Sequence, residues 1–220
     1  MVQRNYRFDP GMYNSHWLML QEIPEGSRVL EIGTASGYMG EYLIEKKNCE
    51  IWGIEPAEEL YNDAKQYGYT KLFKISAENL LTLPEMANEK FDVILLGDVL
   101  EHMKNPDEVL AGLKNFLKPT GRCVISLPNI AHYSIRWHLL IGRFDMQDGG
   151  ILDRTHLHFF TLKTMCEMVE KSGLKIKKAR PAGGAWERFG INKLFGIGRK
   201  VLFMWPTLLS QQFLIIATLE

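Results

Sequence analysis

The sequence predicts an α/β protein, a largely parallel sheet whose strands are joined by crossover helices. Three observations carry that prediction. Short apolar runs alternate with segments of helical period five times between Val29 and Leu127, the order that builds parallel sheets. The run Phe91-Asp92-Val93-Ile94-Leu95-Leu96-Gly97-Asp98 is almost continuously apolar, as a central strand covered on both faces requires. Glycines at 33 and 37 then punctuate the passage from the first apolar run into a helix, where a ligand can approach bare backbone and unpaired helix-opening amides.

Taken in order, Tyr6, Tyr13, His16 and Trp17 precede Leu18, Leu20 and Ile23, which predicts a helical cap over residues 1–27 ending at Pro24-Glu25-Gly26. Its aromatic residues either staple the helix to the sheet edge or form a flap over a ligand. Val29, Leu30 and Ile32 form the first strand, and Met39, Tyr42 and Leu43 mark the helix after it, with Lys46 and Lys47 suited to its C-terminus. A second strand, Ile51 to Ile54, leads through Glu55 into a helix with Pro56 as its first residue, Leu60, Ala64 and Tyr67 on its stripe and Gly68 at its end. Leu72, Phe73 and Ile75 give a third strand running into Ser76-Ala77-Glu78-Asn79.

After the fourth strand, Asn105 caps and Pro106 opens a helix whose stripe runs from Val109 through Phe116 and Leu117 until Lys118-Pro119-Thr120-Gly121 stops it. Cys123 to Leu127 is the fifth strand. Residues 130–160 break the alternation with a stretch rich in aromatic, histidine and glycine residues. Thr161 caps a helix carrying Leu162, Met165, Cys166 and Val169 that ends at Ser172-Gly173, and strands follow at Leu174 to Ala179 and Gln212 to Thr218.

Composition narrows the function. The 220 residues fit one domain, residues 1–220, and 26 basic residues balance 26 acidic ones, so nucleic acid is not an expected partner. Cys49, Cys123 and Cys166 are widely spaced, which fits a reducing cytoplasm better than a disulfide framework or structural zinc. No apolar run reaches the roughly 20 residues of a membrane span, and the start lacks a signal-peptide core.

The first turn decides the ligand. A dinucleotide site wants Gly-x-Gly-x-x-Gly, and counting from Gly33 that pattern meets Ala35 and Tyr38 instead. What stands here is acidic-x-Gly-x-small-x-Gly, carried by Glu31, Gly33, Ala35 and Gly37, and it resembles the first motif of the class I S-adenosylmethionine-dependent methyltransferases. The family usually has glycine where Ala35 stands. Glu55 lies about two dozen residues past Glu31, near the separation of a ribose-binding carboxylate. Glu31, Glu55, Ala77, Glu78 and Asp98 all fall at C-terminal strand ends, where ligands of such sheets lie.

The resemblance implies a Rossmann-like methyltransferase fold: a seven-stranded, mostly parallel sheet with one antiparallel strand and helices on both faces, the last strand slotting antiparallel beside the sixth. It implies S-adenosyl-L-methionine as cofactor, held by Glu31, Gly33, Ala35, Gly37, Glu55, Pro56, Ala77, Glu78, Asp98 and Val99. Segments 97–102, 128–132 and 150–160 are similar to a bacterial subgroup associated with cell-surface polysaccharide or glycolipid pathways, which implies a sugar or other small-molecule O-methyltransferase. N- or C-methylation of another metabolite, or a regulatory module that binds the cofactor without turnover, are the alternatives.

Methyl transfer to a hydroxyl needs alignment and a place for the proton. His102 and His156 with Asp153 are the candidate catalytic residues. His158, sharing a side with His156 in an extended segment, joins Asn129, His132 and Tyr133 as candidate acceptor contacts. No metal is expected, a site from His156, His158 and Asp153 being the lesser reading. Residues 129–160 and 183–210 are expected to form a lid over the acceptor. Within the latter, residues 186–205 read as a basic amphipathic element, either a lid or dimer face or a peripheral contact with an anionic membrane.

Overall fold

The computed structural model describes residues 14–184 and 204–220. Its centre is a seven-stranded sheet of β1 (Arg28–Ile32), β2 (Glu50–Ile54), β3 (Lys71–Phe73), β4 (Phe91–Gly97), β5 (Leu117–Pro128), β6 (Lys175–Gly184) and β7 (Ser210–Thr218). The order is β3-β2-β1-β4-β5-β7-β6. The first five strands pair in parallel, and β7 inserts antiparallel between β5 and β6.

The central strands are apolar on both faces because two separate cores flank them. Leu30, Ile32, Ile94 and Leu96 face one core, packed under α4 (Ala77–Leu80), α5 (Pro106–Leu113) and α7 (Leu162–Lys171). Their sequence neighbours Val29, Val93 and Leu95 face the other, under α1 (Ser15–Gln21) and α2 (Tyr38–Lys47). The two-residue period of a strand thus sorts side chains to opposite layers. Glu31 shares the parity of Val29, which turns its carboxylate into the α2 layer and leaves it fully buried.

Capping follows the sequence in part. Asn14 accepts from the amides of His16 and Trp17 and starts α1. Thr161 and Thr164 close a reciprocal capping box at the start of α7. Two expected boundaries are corrected. Pro56 does not open a helix; α3 spans Glu58–Ala64 with extended Ala57 as its cap, because the Glu55 side chain already takes the Ala57 amide. Leu117 belongs to β5 rather than to a helix: α5 ends at Leu113, a 3-10 turn covers Lys114–Phe116, and Leu117 pairs with Phe91.

Beyond β5 the chain forms α6 (Tyr133–Leu140), not foreseen in the sequence, then irregular backbone to α7. This stretch is tied to the end of β4, since the amides of Leu157 and His158 both donate to the Glu101 carbonyl. Asn129 fixes its start: the amide nitrogen donates to the carbonyls of Thr207 and Ser210, around the short α8 (Pro206–Leu209). The amphipathic reading of 186–205 lies outside the described residues apart from Met204 and Trp205, both exposed. No helix among the described residues is long and apolar enough to cross a membrane.

Candidate active site

A cleft of about 900 Å³ opens at the C-terminal ends of β1, β2 and β4, where a parallel sheet of this topology presents its ligands. Its lining includes Gly33, Ala35, Glu55, Pro56, Ala77, Glu78, Asp98 and Val99, together with Asp153, His102 and His156 from the opposite wall. One depression therefore holds most of both predicted sets.

The turn after β1 is shaped for close approach. Gly33 has φ +73°, and a Cβ built there would come within 2.4 Å of Val99 Cγ1. Ala35 and Asp98 are non-glycine residues with positive φ, +48° and +54°, and both line the cleft. Strained backbone of this kind clusters at ligand sites. The left-handed angle at Ala35 is one that glycine adopts freely, which explains why the family's usual residue differs there. Gly37 lies behind the cleft wall as the N-terminal cap of α2.

Glu55 sits at the end of β2. Its Oε2 accepts from the Ala35 amide and its Oε1 from the Ala57 amide, each at 2.9 Å, which fixes the carboxylate between the two turns. Burial raises its pKa, partly offset by those two amides. Each oxygen keeps a second lone pair, so the group can still take a diol. Burial alone would raise the pKa of Asp98, but His16, Ser126 and Gln212 reverse that and hold it below its ordinary value. Ser126 Oγ and Gln212 Nε2 each donate at 2.8 Å, and His16 Nε2 lies at 3.1 Å. A carboxylate only accepts, so His16 Nε2 carries a proton toward Asp98, while Nδ1 lies 2.8 Å from the Tyr38 hydroxyl. His16 thereby docks α1 onto the cleft.

Glu31 is placed differently from the other acids. It does not line the cleft; Oε2 accepts from the Tyr69 hydroxyl at 2.7 Å and Oε1 is buried with no hydrogen-bond partner among the described residues. Desolvation pushes its pKa up to about 8. Gly40 makes this contact sterically feasible, since a Cβ there would lie 2.1 Å from Tyr69 Oη.

On the opposite wall, the His102 and His156 rings meet edge to face with centroids 4.8 Å apart. His102 Nδ1 is 3.1 Å from the Thr155 carbonyl and His156 Nδ1 is 3.1 Å from the Ile151 carbonyl. Carbonyls only accept, so Nδ1 of each ring carries a proton, and in the neutral imidazole it is Nε2 that keeps its lone pair. Burial first, then the neighbouring His102, lowers the His156 pKa and favours this neutral form. Asp153 accepts from the amide and hydroxyl of Thr155 at 2.9 and 2.6 Å. The main-chain contacts of this wall bring Glu101 into it, fully buried and lining the cleft.

Four predicted acceptor contacts lie elsewhere. Asn129 clamps the chain around α8, as described above. His132 caps α6 through Nδ1, and Tyr133 packs against its ring with centroids 4.4 Å apart. His158 Nε2 donates to the Lys104 carbonyl, because residues 155–160 curl instead of extending and so turn it away from His156. None of the four lines the cleft. Tyr69 and Glu101 were not assigned roles from sequence, and His16 was read only as part of the aromatic staple or flap; the Glu-His dipeptide after β4 was visible, but nothing local shows that its glutamate is buried.

These features define a Rossmann-like nucleotide-cofactor cleft whose opposite wall carries two histidines. The chain belongs to the methyltransferase-domain family: the family model described as "Methyltransferase domain" matches residues 12–179. Among curated relatives, ubiquinone biosynthesis O-methyltransferase of Aeromonas salmonicida (strain A449) is 24% identical over 155 residues, 69% of this chain and 64% of that protein. The protein of the same name from Coxiella burnetii (strain RSA 493 / Nine Mile phase I) is 23% identical over 157 residues, 69% of this chain and 65% of that protein. The chain thus spans slightly under two thirds of the length of these relatives.

Solved structures show the same fold. An S-adenosylmethionine-dependent methyltransferase from Archaeoglobus fulgidus superposes with a TM-score of 0.63 at 19% identity, covering 86% of this chain and 85% of that one. A TehB-like S-adenosylmethionine-dependent methyltransferase from Corynebacterium glutamicum gives 0.58 at 18%, covering 94% and 88%. The fold is that of the S-adenosylmethionine-dependent methyltransferases, and the Gly33 cradle and fixed Glu55 carboxylate fit that cofactor.

Proposed function

We propose that this chain O-methylates a hydroxyl of a small-molecule acceptor, with sugars and glycan-related metabolites as the acceptor class, acting in the cytoplasm. Two curated relatives bearing the name O-methyltransferase support the hydroxyl. The single observation that carries the reading is that His102, His156 and Asp153 open into the same cleft as the Gly33 turn.

When bound, S-adenosylmethionine would supply a sulfonium-activated methyl group for the acceptor oxygen and be left as S-adenosylhomocysteine. Glu55, fixed between the amides of Ala35 and Ala57, would hold the ribose hydroxyls, and Ala77 and Glu78, which line the same cleft, would border the adenine. The Gly33 turn and Asp98 line the donor end of the cleft. Across it, a neutral imidazole with a free Nε2 accepts the hydroxyl proton as the oxygen attacks. Residues 150–156 border the acceptor, and α1 caps the donor side through His16.

The test is release of S-adenosylhomocysteine from a panel of nucleotide sugars, simple glycosides, phenols and amines. Turnover with a sugar hydroxyl, reduced on the order of 100-fold by His156→Ala with cofactor binding unchanged, is the expected outcome. Turnover confined to amines and indifferent to alanine at His102 and His156 would overturn the hydroxyl reading, and turnover confined to phenols would overturn the sugar class.

A further inference from the structure

We propose that Glu101, His102 and His156 form a binding site for one divalent cation of the zinc, cobalt or manganese type, on the acceptor side of the cleft. One ligand-capable atom from each residue lies within 4.8 Å of the other two. Two further observations point to a cation. Glu101 is 0% exposed, yet among the described residues neither carboxylate oxygen has a hydrogen-bond partner. A buried carboxylate left without partners is costly, and its nearest imidazole atom, His156 Nε2, is 4.0 Å from Oε1, too far for a hydrogen bond.

The second observation is the orientation of the two histidines. Each donates Nδ1–H to a main-chain carbonyl, His102 to Thr155 and His156 to Ile151, at 3.1 Å. Metal-bound histidines are held in this way, the outer hydrogen bond fixing the tautomer and aiming the lone pair of the other nitrogen. The same backbone that pins residues 150–160 over the cleft therefore prepares both ligands. Adjacent ligand atoms on a tetrahedral cation with bonds near 2.1 Å stand about 3.4 Å apart, so atoms that now lie within 4.8 Å of one another close by at most about 1.4 Å, within reach of rotation about the Glu101 side chain.

The donor set selects the class of ion. Two imidazoles and one carboxylate suit a borderline transition cation, whereas magnesium and calcium prefer all-oxygen shells. Three protein ligands leave coordination positions open toward the cleft, where an acceptor oxygen would bind; with the ion in place the two imidazoles serve as ligands and not as bases, and the cation itself eases loss of the hydroxyl proton. That role rests on the hydroxyl-methylation reading, while the site itself does not.

The experiment uses the full chain, stripped with a chelator. Co2+ is titrated by visible absorption and Zn2+ by calorimetry, with S-adenosylhomocysteine binding measured on the same preparations. One cation per chain is expected, with Zn2+ displacing the Co2+ spectrum and raising the melting temperature. His156→Ala and the near-isosteric Glu101→Gln should each weaken binding by at least about 100-fold, while both variants still bind S-adenosylhomocysteine. No stoichiometric uptake of either ion by a chain that binds S-adenosylhomocysteine overturns the site, as does uptake that neither substitution changes. Failure of S-adenosylhomocysteine binding with intact Co2+ uptake would instead overturn the methyltransferase reading and leave the cation site standing.

Discussion

Gly33→Ala is expected to weaken S-adenosylhomocysteine binding at least tenfold and to lower the stability of the free protein by about 1–3 kcal/mol. Two causes add. The residue adopts φ +73°, and the new methyl would stand 2.4 Å from Val99 Cγ1, a separation that real structures do not sustain. Val99 is β-branched and stiff about its first torsion, so relief must come from the turn itself. The next atom of that side chain, Cβ, is 3.6 Å away, an ordinary contact. The double substitution Gly33→Ala, Val99→Ala should therefore recover part of the stability lost in Gly33→Ala, leaving the backbone strain alone. Urea unfolding of the two variants measures this, and a double variant no more stable than Gly33→Ala would show that the clash is not the cause.

A second large effect should run in the opposite direction. Glu31→Gln is expected to stabilise the free protein by on the order of 3 kcal/mol at pH 7 and by almost nothing at pH 4. The native carboxyl, desolvated in the α2 layer, has its pKa raised from 4.5 to about 8. Between those values the unfolded chain releases a proton that the folded chain keeps, so the contribution of Glu31 to stability is complete below about 4.5 and is lost as pH rises toward 8. Glutamine cannot ionise, and its carbonyl still accepts from Tyr69. Burial of Glu101, whose pKa is also raised well above its ordinary value by desolvation and then by Asp98, adds a slope of the same sign that the substitution leaves in place. Urea unfolding of both proteins at pH 4, 5.5 and 7 reads the difference; a variant less stable at every pH would mean that Glu31 is charged and paired in the free fold.

How much of this could be seen in the sequence depends on how local each feature is. The sheet was legible because Val29 to Ile32, Ile51 to Ile54 and Phe91 to Gly97 carry enough apolar residues to serve two cores at once. The donor half of the cleft was legible for a related reason: topology places Gly33, Glu55, Ala77 and Asp98 at strand ends, and strand ends can be counted. Helix boundaries at Pro56 and Leu117 were not, because side chains and pairings remote in sequence decide them, Glu55 taking an amide in one case and Phe91 offering a strand partner in the other.

The histidine-bearing wall resisted for a stronger reason. His156 reaches His102 only because residues 150–160 fold back onto the Glu101 carbonyl, a contact spanning more than fifty residues. His158, two positions on, shares the residue type and has no part in the cleft. Glu101 looks like an exposed loop acid until the fold encloses it. Tyr69 is similar: its route to Glu31 is signalled only by the absence of a side chain at Gly40, which no periodicity predicts.

The central claim is that the turn after β1 and the acid ending β2 together grip S-adenosylmethionine. Calorimetry with S-adenosylhomocysteine tests it most directly. The folded chain should bind one equivalent, and Glu55→Ala, which removes a charged acceptor of two amides and of the ribose, should weaken that binding by roughly 10- to 100-fold while remaining folded by circular dichroism. A folded chain that takes up no S-adenosylhomocysteine or S-adenosylmethionine, or one whose affinity is the same with alanine at Glu55, would contradict it.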